Sequence, residues 1–326
     1  MPTAHSILIL DDYQRASSLF ASWSSLSSLN LSITTLTTPI PSSSLIPTLH
    51  PYTILHANRE RTKLPREVLM QLPNLKFIAT TGVRNRGIDL QACRELGIVV
   101  SGTGRQGGSS SSTGTVEQTW ALILALARRV LEEHSSVQKG GWQTGVATGL
   151  AGKTLALVGV GNLGQAVAQV ANAFGMKVRG WSPNLTEERA EKAGVEFAPS
   201  LDNLLSSADV VSIHLVSAPS TQGLLGAREL ALLKPTAILV NTSRGPIVDE
   251  EALLDALRRG AIRGAGLDVY DEEPLPKGHP LRSMDNVVLS PHMGYVEDST
   301  YESWWPQSVE NIEAFLVGKP IRVLEP

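Results

Sequence analysis

Short apolar runs alternate with segments of helical periodicity along the first hundred residues. Four such runs stand at 7–10, 52–55, 75–80 and 98–101. Each is apolar at nearly every position, which is typical of strands buried on both faces of a parallel sheet. The pattern therefore predicts a first α/β unit, and none of its strands leads into a phosphate-binding glycine loop.

The alternation resumes after a long amphipathic stretch at 115–134 and continues to residue 290. Six apolar runs follow: 154–158, 177–181, 209–215, 237–241, 264–269 and 286–290. Strands separated by helices predict a second, doubly wound sheet, and a ligand should lie outside the carboxyl ends of its strands.

A last helix is predicted from about Tyr295 to Phe315. Because it follows the final strand of the second unit, we expect it to return to the first unit. The predicted architecture is α/β, with two doubly wound parallel-sheet domains. One domain is discontinuous and comprises 1–103 and 294–326; the other comprises 104–293.

Two segments of low complexity interrupt these patterns. Residues 17–44 are rich in Ser and Thr but carry leucines at helical spacing, so a surface helix with an adjoining loop is predicted and no function is assigned. The Gly/Ser tract at 102–114 precedes the long amphipathic stretch, where a hinge-like connection between domains is expected.

Composition narrows the range of partners. The 326 residues are 42% hydrophobic, enough for a sizeable core and about two domains. The net charge of −3 is spread without blocks of like charge, which argues against nucleic acid and membrane surfaces. Cys93 is the only cysteine, so no internal disulfide and no metal site are predicted. The apolar run at 7–10 is too short for a signal peptide, and a cytoplasmic protein with a small-molecule partner is expected.

The strongest local motif begins where the apolar run Leu155–Val158 ends. It reads Gly159-Val160-Gly161-Asn162-Leu163-Gly164 and leads into a helical segment. Glycines also punctuate ordinary turns, but a strand, a tight turn and a helix in this order are what a dinucleotide pyrophosphate requires. The predicted cofactor-binding residues are Gly159, Gly161, Asn162, Leu163 and Gly164.

Three residues farther along stand where apolar strands end: Arg244, Glu273 and His292. Hydride transfer to a carbonyl builds negative charge on its oxygen, which calls for a proton donor and a fixed positive group. Histidine suits the first task, arginine suits the second, and a carboxylate beside the histidine favours its charged form. Each residue alone has an ordinary structural interpretation, but together, downstream of a dinucleotide loop, they predict a catalytic set.

The chain resembles the D-isomer-specific 2-hydroxyacid dehydrogenases over nearly its whole length. The motifs that carry the resemblance, in order, are TTGVRNRGIDL at 80–90, TWALILALAR at 119–128, GKTLALVGVGNLG at 152–164, KPTAILVNTSRGPIVDEEAL at 234–253, GAGLDVYDEEPLP at 264–276 and NVVLSPHMGY at 286–295. The resemblance implies a Rossmann dinucleotide-binding domain and a discontinuous flavodoxin-like substrate domain. It also implies a homodimer built around the TWALILALAR helix.

At matching positions the resemblance implies individual roles. Arg244 resembles the arginine that orients the substrate, Glu273 the glutamate that assists the histidine, and His292 the acid/base. Further cofactor-pocket positions are Thr242, His214 and Asp268, the last of which holds the nicotinamide carboxamide in the family. The substrate carboxylate is expected at the backbone N–H groups of Gly82 and Val83, with Arg84 adding charge.

The chain departs from the family pattern at 178–184, after the second strand of the nucleotide domain. An NAD-preferring site has Asp or Glu there for the ribose hydroxyls, whereas this chain has Ser182. Ser182 and Asn184 can bind a 2′-phosphate, although no arginine follows directly and Arg179 points along its strand. NADP(H) is favoured over NAD(H), with use of both possible.

The leading prediction is an NAD(P)H-dependent oxidoreductase that interconverts a 2-keto acid and a D-2-hydroxy acid. Glyoxylate, hydroxypyruvate, branched-chain and aryl keto acids all fit, and Trp304 or Trp305 can line a larger pocket. A second enzyme hypothesis is oxidation of a small anion such as formate or phosphite. A third is a dinucleotide-sensing interaction protein, like the corepressors built on this fold, which also keep the Arg, Glu and His.

Overall fold

The structure is a computed structural model that describes residues 5–27, 31–104 and 113–326. The chain divides into two compact units. Unit 1 comprises 1–109 and 297–326, and unit 2 comprises 110–296. Most of the Gly/Ser tract, residues 105–112, lies outside the described residues.

Unit 1 contains a five-stranded parallel sheet. Its strands are β1 (Ser6–Ile9), β2 (Ser32–Thr35), β3 (Ile54–Ala57), β4 (Phe77–Thr80) and β5 (Val99–Ser101), in the order β2-β1-β3-β4-β5. This is the flavodoxin-like strand order, in which the order reverses between β1 and β3. The carboxyl ends of those two strands therefore flank the place where such a sheet binds ligands.

Short helices cover the sheet of unit 1: α1 (Ala16–Phe20), α2 (Ser24–Ser27), α3 (Leu45–Leu49), α4 (Arg66–Leu69) and α5 (Leu90–Glu95). The leucine spacing within residues 17–44 predicted a surface helix, but the chain leaves the helical conformation between α1 and α2. The Trp23 indole Nε1–H donates to the Ser17 carbonyl oxygen at 2.9 Å across this break. The same segment also contains β2, which the Ser/Thr-rich sequence did not reveal.

Unit 2 contains a seven-stranded parallel sheet. Its strands are β6 (Thr154–Val158), β7 (Lys177–Trp181), β8 (Glu196–Phe197), β9 (Val210–Ile213), β10 (Ile238–Asn241), β11 (Gly264–Leu267) and β12 (Val287–Leu289). The order is β12-β11-β10-β9-β6-β7-β8, which extends the Rossmann arrangement by one strand. Leu155 and Leu157 belong to one hydrophobic core, and Ala156 and Val158 belong to another, so β6 is buried on both faces.

The helices of unit 2 are α6 (Thr113–Arg128), α7 (Val130–Gln138), α8 (Asn162–Ala173), α9 (Glu187–Lys192), α10 (Leu201–Ser207), α11 (Ala227–Leu230) and α12 (Glu250–Arg258). The amphipathic stretch at 115–134 spans both α6 and α7, and the two helices are separated at Arg129, whose φ of 56° is left-handed. The Arg129 guanidinium pairs with Glu132 at 2.7 Å and with Glu133 at 3.4 Å. Both ion pairs lie at the first turn of α7 and support its helical conformation.

The final helix, α13 (Asp298–Leu316), belongs to unit 1. Trp305 is fully buried and stacks on the His56 ring of β3, with ring centroids 4.6 Å apart. Phe315 stacks on Phe77 of β4 at 4.5 Å. These contacts make α13 a part of the core of unit 1, although it is remote in sequence from the sheet that it covers.

Candidate active site

The glycine turn after β6 is built so that only glycine fits two of its positions. Gly159 has a φ of 109°, and a Cβ there would lie 2.7 Å from the carbonyl carbon of His214. A Cβ on Gly164 would lie 2.2 Å from the Gly159 carbonyl oxygen. The turn therefore lets α8 pack directly against the end of β6, at the point between β6 and β9 where the strand order reverses.

Gly161 serves a different purpose in the same turn. It is the N-cap of α8, no side chain caps the helix, and a Cβ at Gly161 would meet no heavy atom within 4 Å. The N–H groups at the start of a helix of this length favour an anion. Open space in front of an uncapped helix fits the pyrophosphate of a dinucleotide.

Two further predicted cofactor residues follow the next strands of the sheet, His214 after β9 and Thr242 after β10. Burial lowers the pKa of His214 to about 4, so its ring is neutral at pH 7, and a ring nitrogen lies 2.8 Å from the Ser212 hydroxyl. Thr242 lies 2.8 Å from the Thr119 hydroxyl, which donates to the Thr115 carbonyl. Since Thr119 uses its hydrogen there, Thr242 is the donor in the pair.

Glu273 and His292 meet at the carboxyl ends of β11 and β12. The Nδ1 atom of His292 lies 2.6 Å from the Oε2 atom of Glu273, and about a third of each side chain is exposed. Burial raises the pKa of Glu273, but the hydrogen bond and charge of His292, the Tyr270 N–H and the charge of Arg244 outweigh it and hold that pKa below its usual value. The pair is a carboxylate bonded to an imidazole.

Arg244 follows β10, which neighbours β11. Its guanidinium Nη1 donates to the Ser243 carbonyl at 2.7 Å, and the Asn241 side-chain amide donates to the Arg244 carbonyl at 2.9 Å. These bonds fix the backbone at the strand end. The three predicted catalytic residues thus follow β10, β11 and β12, and the guanidinium is close enough to influence the ionisation of Glu273.

Asp268 holds the loop that carries His292. Its carboxylate accepts from the Ser290 hydroxyl at 2.6 Å, from the Met293 N–H at 2.8 Å and from the Gly294 N–H at 2.9 Å. Burial raises the pKa of Asp268 in spite of these bonds. Between the anchored residues, His292 adopts a left-handed φ of 57°. A residue in this conformation persists only where its surroundings enforce it.

Tyr270 is a site residue that sequence reasoning missed. Its backbone N–H donates to the Oε1 atom of Glu273 at 2.9 Å. Its buried hydroxyl lies 3.0 Å from the Leu267 carbonyl and 2.9 Å from the Ser290 carbonyl, and thus ties the end of β11 to the end of β12. The position between Asp268 and Glu273 was the only available signal, because a tyrosine at a strand end is an ordinary core residue.

The residues predicted to bind the substrate carboxylate belong to unit 1, whereas Arg244, Glu273 and His292 belong to unit 2. Gly82 follows β4 with a φ of 89°, and its N–H donates to the Thr103 hydroxyl at 2.8 Å. Val83 is 66% exposed, and the Arg84 carbonyl accepts from Arg59 at 3.4 Å. The Gly82 N–H is therefore engaged within unit 1.

No group of three or more His, Cys, Asp or Glu in the described chain can hold a metal ion. Burial raises the pKa of Cys93 to about 12, so its thiol stays protonated near neutral pH. None of the helices at 5–27, 31–104 and 113–326 has both the length and the apolar character of a membrane span.

The doubly wound sheet, the glycine turn and the uncapped helix together define a dinucleotide-binding α/β protein. Residues 120–294 match the family described as "D-isomer specific 2-hydroxyacid dehydrogenase, NAD binding domain". The chain belongs to the D-isomer specific 2-hydroxyacid dehydrogenases. The fold class and the family predicted from the sequence, with its NAD-binding Rossmann domain, are therefore confirmed.

Named relatives support the same conclusion. The glyoxylate reductase of Aeropyrum pernix is 42% identical over 262 residues, which cover 78% of this chain and 77% of that protein. The D-3-phosphoglycerate dehydrogenase of Methanocaldococcus jannaschii is 38% identical over 263 residues; the match covers 80% of this chain but only 49% of that protein, so the chain spans about half of its length. The crystal structure of a phosphoglycerate oxidoreductase from Vibrio cholerae O395 is 33% identical with a TM-score of 0.88, and the match covers 96% of this chain and 99% of that one.

Proposed function

We propose that the protein interconverts a 2-keto acid and the corresponding D-2-hydroxy acid, with a nicotinamide dinucleotide as the redox partner. Unit 2 binds the dinucleotide, and unit 1 binds the substrate. The observation that carries this proposal is the 2.6 Å contact between His292 Nδ1 and Glu273 Oε2 at the ends of neighbouring strands. A histidine oriented by a carboxylate is the arrangement that acid/base catalysis at a carbonyl requires.

His292 is the acid/base. Its Nδ1 atom is bound to Glu273, and its Nε2 atom has no hydrogen-bond partner within the described part of the chain. In reduction, Nε2 donates a proton to the substrate oxygen; in oxidation, it removes the hydroxyl proton. Glu273, whose pKa is held below its usual value, stays ionised and orients the ring through Nδ1.

Arg244 orients the substrate. Its planar guanidinium can hold the carboxylate and the carbonyl oxygen that lie side by side in a 2-keto acid, which lysine cannot do in the same geometry. The same positive charge stabilises the oxygen as negative charge develops on it. For this reason Arg244 acts on both binding and rate.

The glycine turn binds the dinucleotide. Gly159 and Gly164 fix the turn, and the N–H groups at Gly161, Asn162 and Leu163 hold the pyrophosphate. His214, Thr242 and Asp268 line the remainder of the pocket. When bound, the reduced nicotinamide supplies the hydride.

The substrate carboxylate meets the loop after β4. The Gly82 N–H already donates to Thr103, so we assign the carboxylate to the Val83 N–H, with charge from Arg84. Gly82 provides the left-handed turn that presents them. We rank small 2-keto and 2-hydroxy acids first among the candidate substrates, and the similarity to proteins named glyoxylate reductase and D-3-phosphoglycerate dehydrogenase supports this ranking.

The experiment is a steady-state assay of reduced-nicotinamide consumption with NADPH and NADH in parallel, against 2-keto acids from glyoxylate to phenylpyruvate. Wild type is expected to consume cofactor with at least one of them. His292→Ala is expected to lose activity by about a hundredfold or more while it binds dinucleotide as wild type does. Tight dinucleotide binding without turnover across the panel would instead support the dinucleotide-sensing alternative.

The proposed function also includes a preference for NADP(H) over NAD(H) and assembly as a homodimer. Ser182 leaves no carboxylate to repel a 2′-phosphate at the end of β7. For the dimer, we propose an interface around α6, whose Trp120 and Ile123 pack into the core of unit 2. Large exposed apolar side chains follow this helix, at Val130, Leu131, Val137, Trp142 and Val146, and extend the proposed surface. Light scattering of Trp142→Ser against wild type tests whether this surface joins two subunits.

A further inference from the structure

The loop after β7 lies beside the glycine turn. Val158 pairs with Trp181 across the sheet, and the Gly159 N–H donates to the Trp181 carbonyl at 2.8 Å. Ser182 is therefore the first residue beyond the strand, at the level of the glycine turn. In a Rossmann domain the adenine ribose binds at the end of this strand, so the side chains of the loop decide between a ribose hydroxyl and a phosphate.

The arginine on β7 does not serve this loop. Arg179 pairs with Glu196 at 2.8 Å and also donates to the Ser207 hydroxyl at 2.8 Å and to the Asn203 side chain at 2.9 Å. Its guanidinium is therefore bound to residues of β8 and α10. A positive group for a 2′-phosphate must therefore come from elsewhere.

A different arginine returns to the loop through the fold. The Leu185 N–H donates to the Ser182 carbonyl at 3.1 Å, which closes a turn, and the Thr186 hydroxyl then caps α9. From α9, the guanidinium of Arg189 reaches back and donates to the Asn184 carbonyl at 3.3 Å. The turn thus brings Arg189, seven residues beyond Ser182 in sequence, to the same loop.

The polar side chains of this loop retain binding capacity. Over the residues that the structure describes, the Ser182 hydroxyl and the Asn184 side-chain amide have no hydrogen-bond partner, and Arg189 forms no ion pair. All three are at least partly exposed. A hydroxyl, an amide and a guanidinium are donors that suit a phosphate dianion.

We propose that Arg189 is the residue that recognises the 2′-phosphate of NADP(H), together with Ser182 and Asn184. This inference rests on the proposed function, since it assigns the adenosine end of the same dinucleotide site. The two acidic residues next to Arg189 do not prevent it from binding a phosphate. Glu188 is paired with Lys192 at 2.7 Å, and Glu187 is an exposed charge that water screens.

The test is isothermal titration with adenosine 2′,5′-bisphosphate and with 5′-AMP, which differ only in the 2′-phosphate. Wild type is expected to bind the bisphosphate about tenfold to a hundredfold more tightly, the range for a hydrogen bond between charged groups. Arg189→Ala is expected to lose this preference while its affinity for 5′-AMP and NADH stays the same. The preference of wild type should also fall with rising ionic strength.

Arg258→Ala is the matched control, because Arg258 is also an exposed arginine near the end of a helix in unit 2. It should behave as wild type does. If Arg189 merely stabilised the turn through Asn184, its removal would weaken 5′-AMP and NADH binding as well, and the proposal would be overturned. It would equally be overturned if Arg189→Ala kept the preference for the bisphosphate, or if wild type showed none.

The two proposals can fail separately. A wild type that binds NADH and reduces a keto acid, without any preference for a 2′-phosphate, overturns only the role of Arg189. A wild type that binds neither dinucleotide overturns the proposed function together with this inference.

Discussion

Glu273 and His292, nineteen residues apart in the chain, form a 2.6 Å hydrogen bond across the ends of two adjacent strands. Neighbouring residues hold the two side chains in this position. The Tyr270 N–H holds the other carboxylate oxygen of Glu273, and Asp268 anchors Met293 and Gly294 on the far side of His292. The orientation of the pair is therefore fixed by the loops after β11 and β12.

Glu273→Gln should keep the shape of the pair and remove its charge. We expect kcat for reduction to fall about tenfold to a hundredfold, with cofactor affinity unchanged. Since His292 and Arg244 hold the pKa of Glu273 below its usual value, the wild-type carboxylate stays charged throughout the mildly acidic range.

The control is Glu272→Gln, an exposed acid next to Glu273. Its kcat and pH profile should match those of wild type. Equal effects of the two substitutions would show that only the overall charge of the segment matters, which would contradict the role given to Glu273.

Arg244→Lys should be nearly as inactive as Arg244→Ala. Both variants are expected to show a higher KM for the keto acid and a lower kcat, because the guanidinium contacts substrate in the ground state and the transition state alike. Lysine retains the charge but not the planar pair of donors. A lysine variant with nearly wild-type kcat/KM would indicate that charge alone suffices.

Gly161→Ala should weaken dinucleotide binding, whereas Gly159→Ala should destabilise the fold. A Cβ at Gly161 meets open space, so the fold should survive, but the methyl group would stand where the pyrophosphate approaches the helix. We expect dinucleotide affinity to fall while thermal stability is retained. At Gly159 the left-handed φ and the clash with the His214 carbonyl should reduce stability itself. Gly149→Ala, which also meets open space, is the control for both.

The stability of the protein should decrease as the pH falls below neutral, in part through His56. Burial lowers the pKa of His56 from 6.5 to about 3. Between these values the unfolded chain binds a proton at His56 that the folded chain excludes, so the free energy of unfolding falls by about 1.4 kcal/mol per pH unit as the pH drops. The loss begins near pH 6.5 and ends near pH 3.

His56→Phe keeps an aromatic ring against Trp305 and removes the titration. Urea unfolding at a series of pH values should show a shallower pH dependence for this variant, by about one proton. His50→Gln, at an exposed position, should leave the dependence unchanged. An unaltered slope in His56→Phe would mean that His56 is protonated in the folded protein.

Most of the strands and the candidate site could be predicted from the sequence, because each of these features depends on a short stretch of residues. The glycine turn, the apolar runs and the strand-end positions of Arg244, Glu273 and His292 each depend on a few consecutive residues. The sequence also indicated the return of the last helix to the first unit, since that helix follows the end of the doubly wound pattern. The sequence placed the crossings near 103 and 293, and the compact units divide near 109 and 296.

What the sequence did not reveal depends on contacts between distant or weakly patterned residues. At Arg129 a left-handed backbone conformation separates α6 from α7, although the hydrophobic periodicity of the stretch continues past this residue. β2 and β8 are short and mostly polar, so they carry little strand signal. The return of Arg189 to Asn184 requires a turn and a capped helix between them, and no motif marks that combination.

The grip of α13 on the first sheet has a consequence for the order of synthesis. The Gln307 side chain bonds both the N–H and the carbonyl of Gly104, and Trp305 covers His56, which is 249 positions earlier in the chain. A growing chain that has reached residue 296 holds all of unit 2 but lacks the helix that seals the core of unit 1. During synthesis, unit 2 therefore has its complete sequence before unit 1 does. Until α13 is made, the faces of His56 and Phe77 that it covers are exposed to water or to a chaperone.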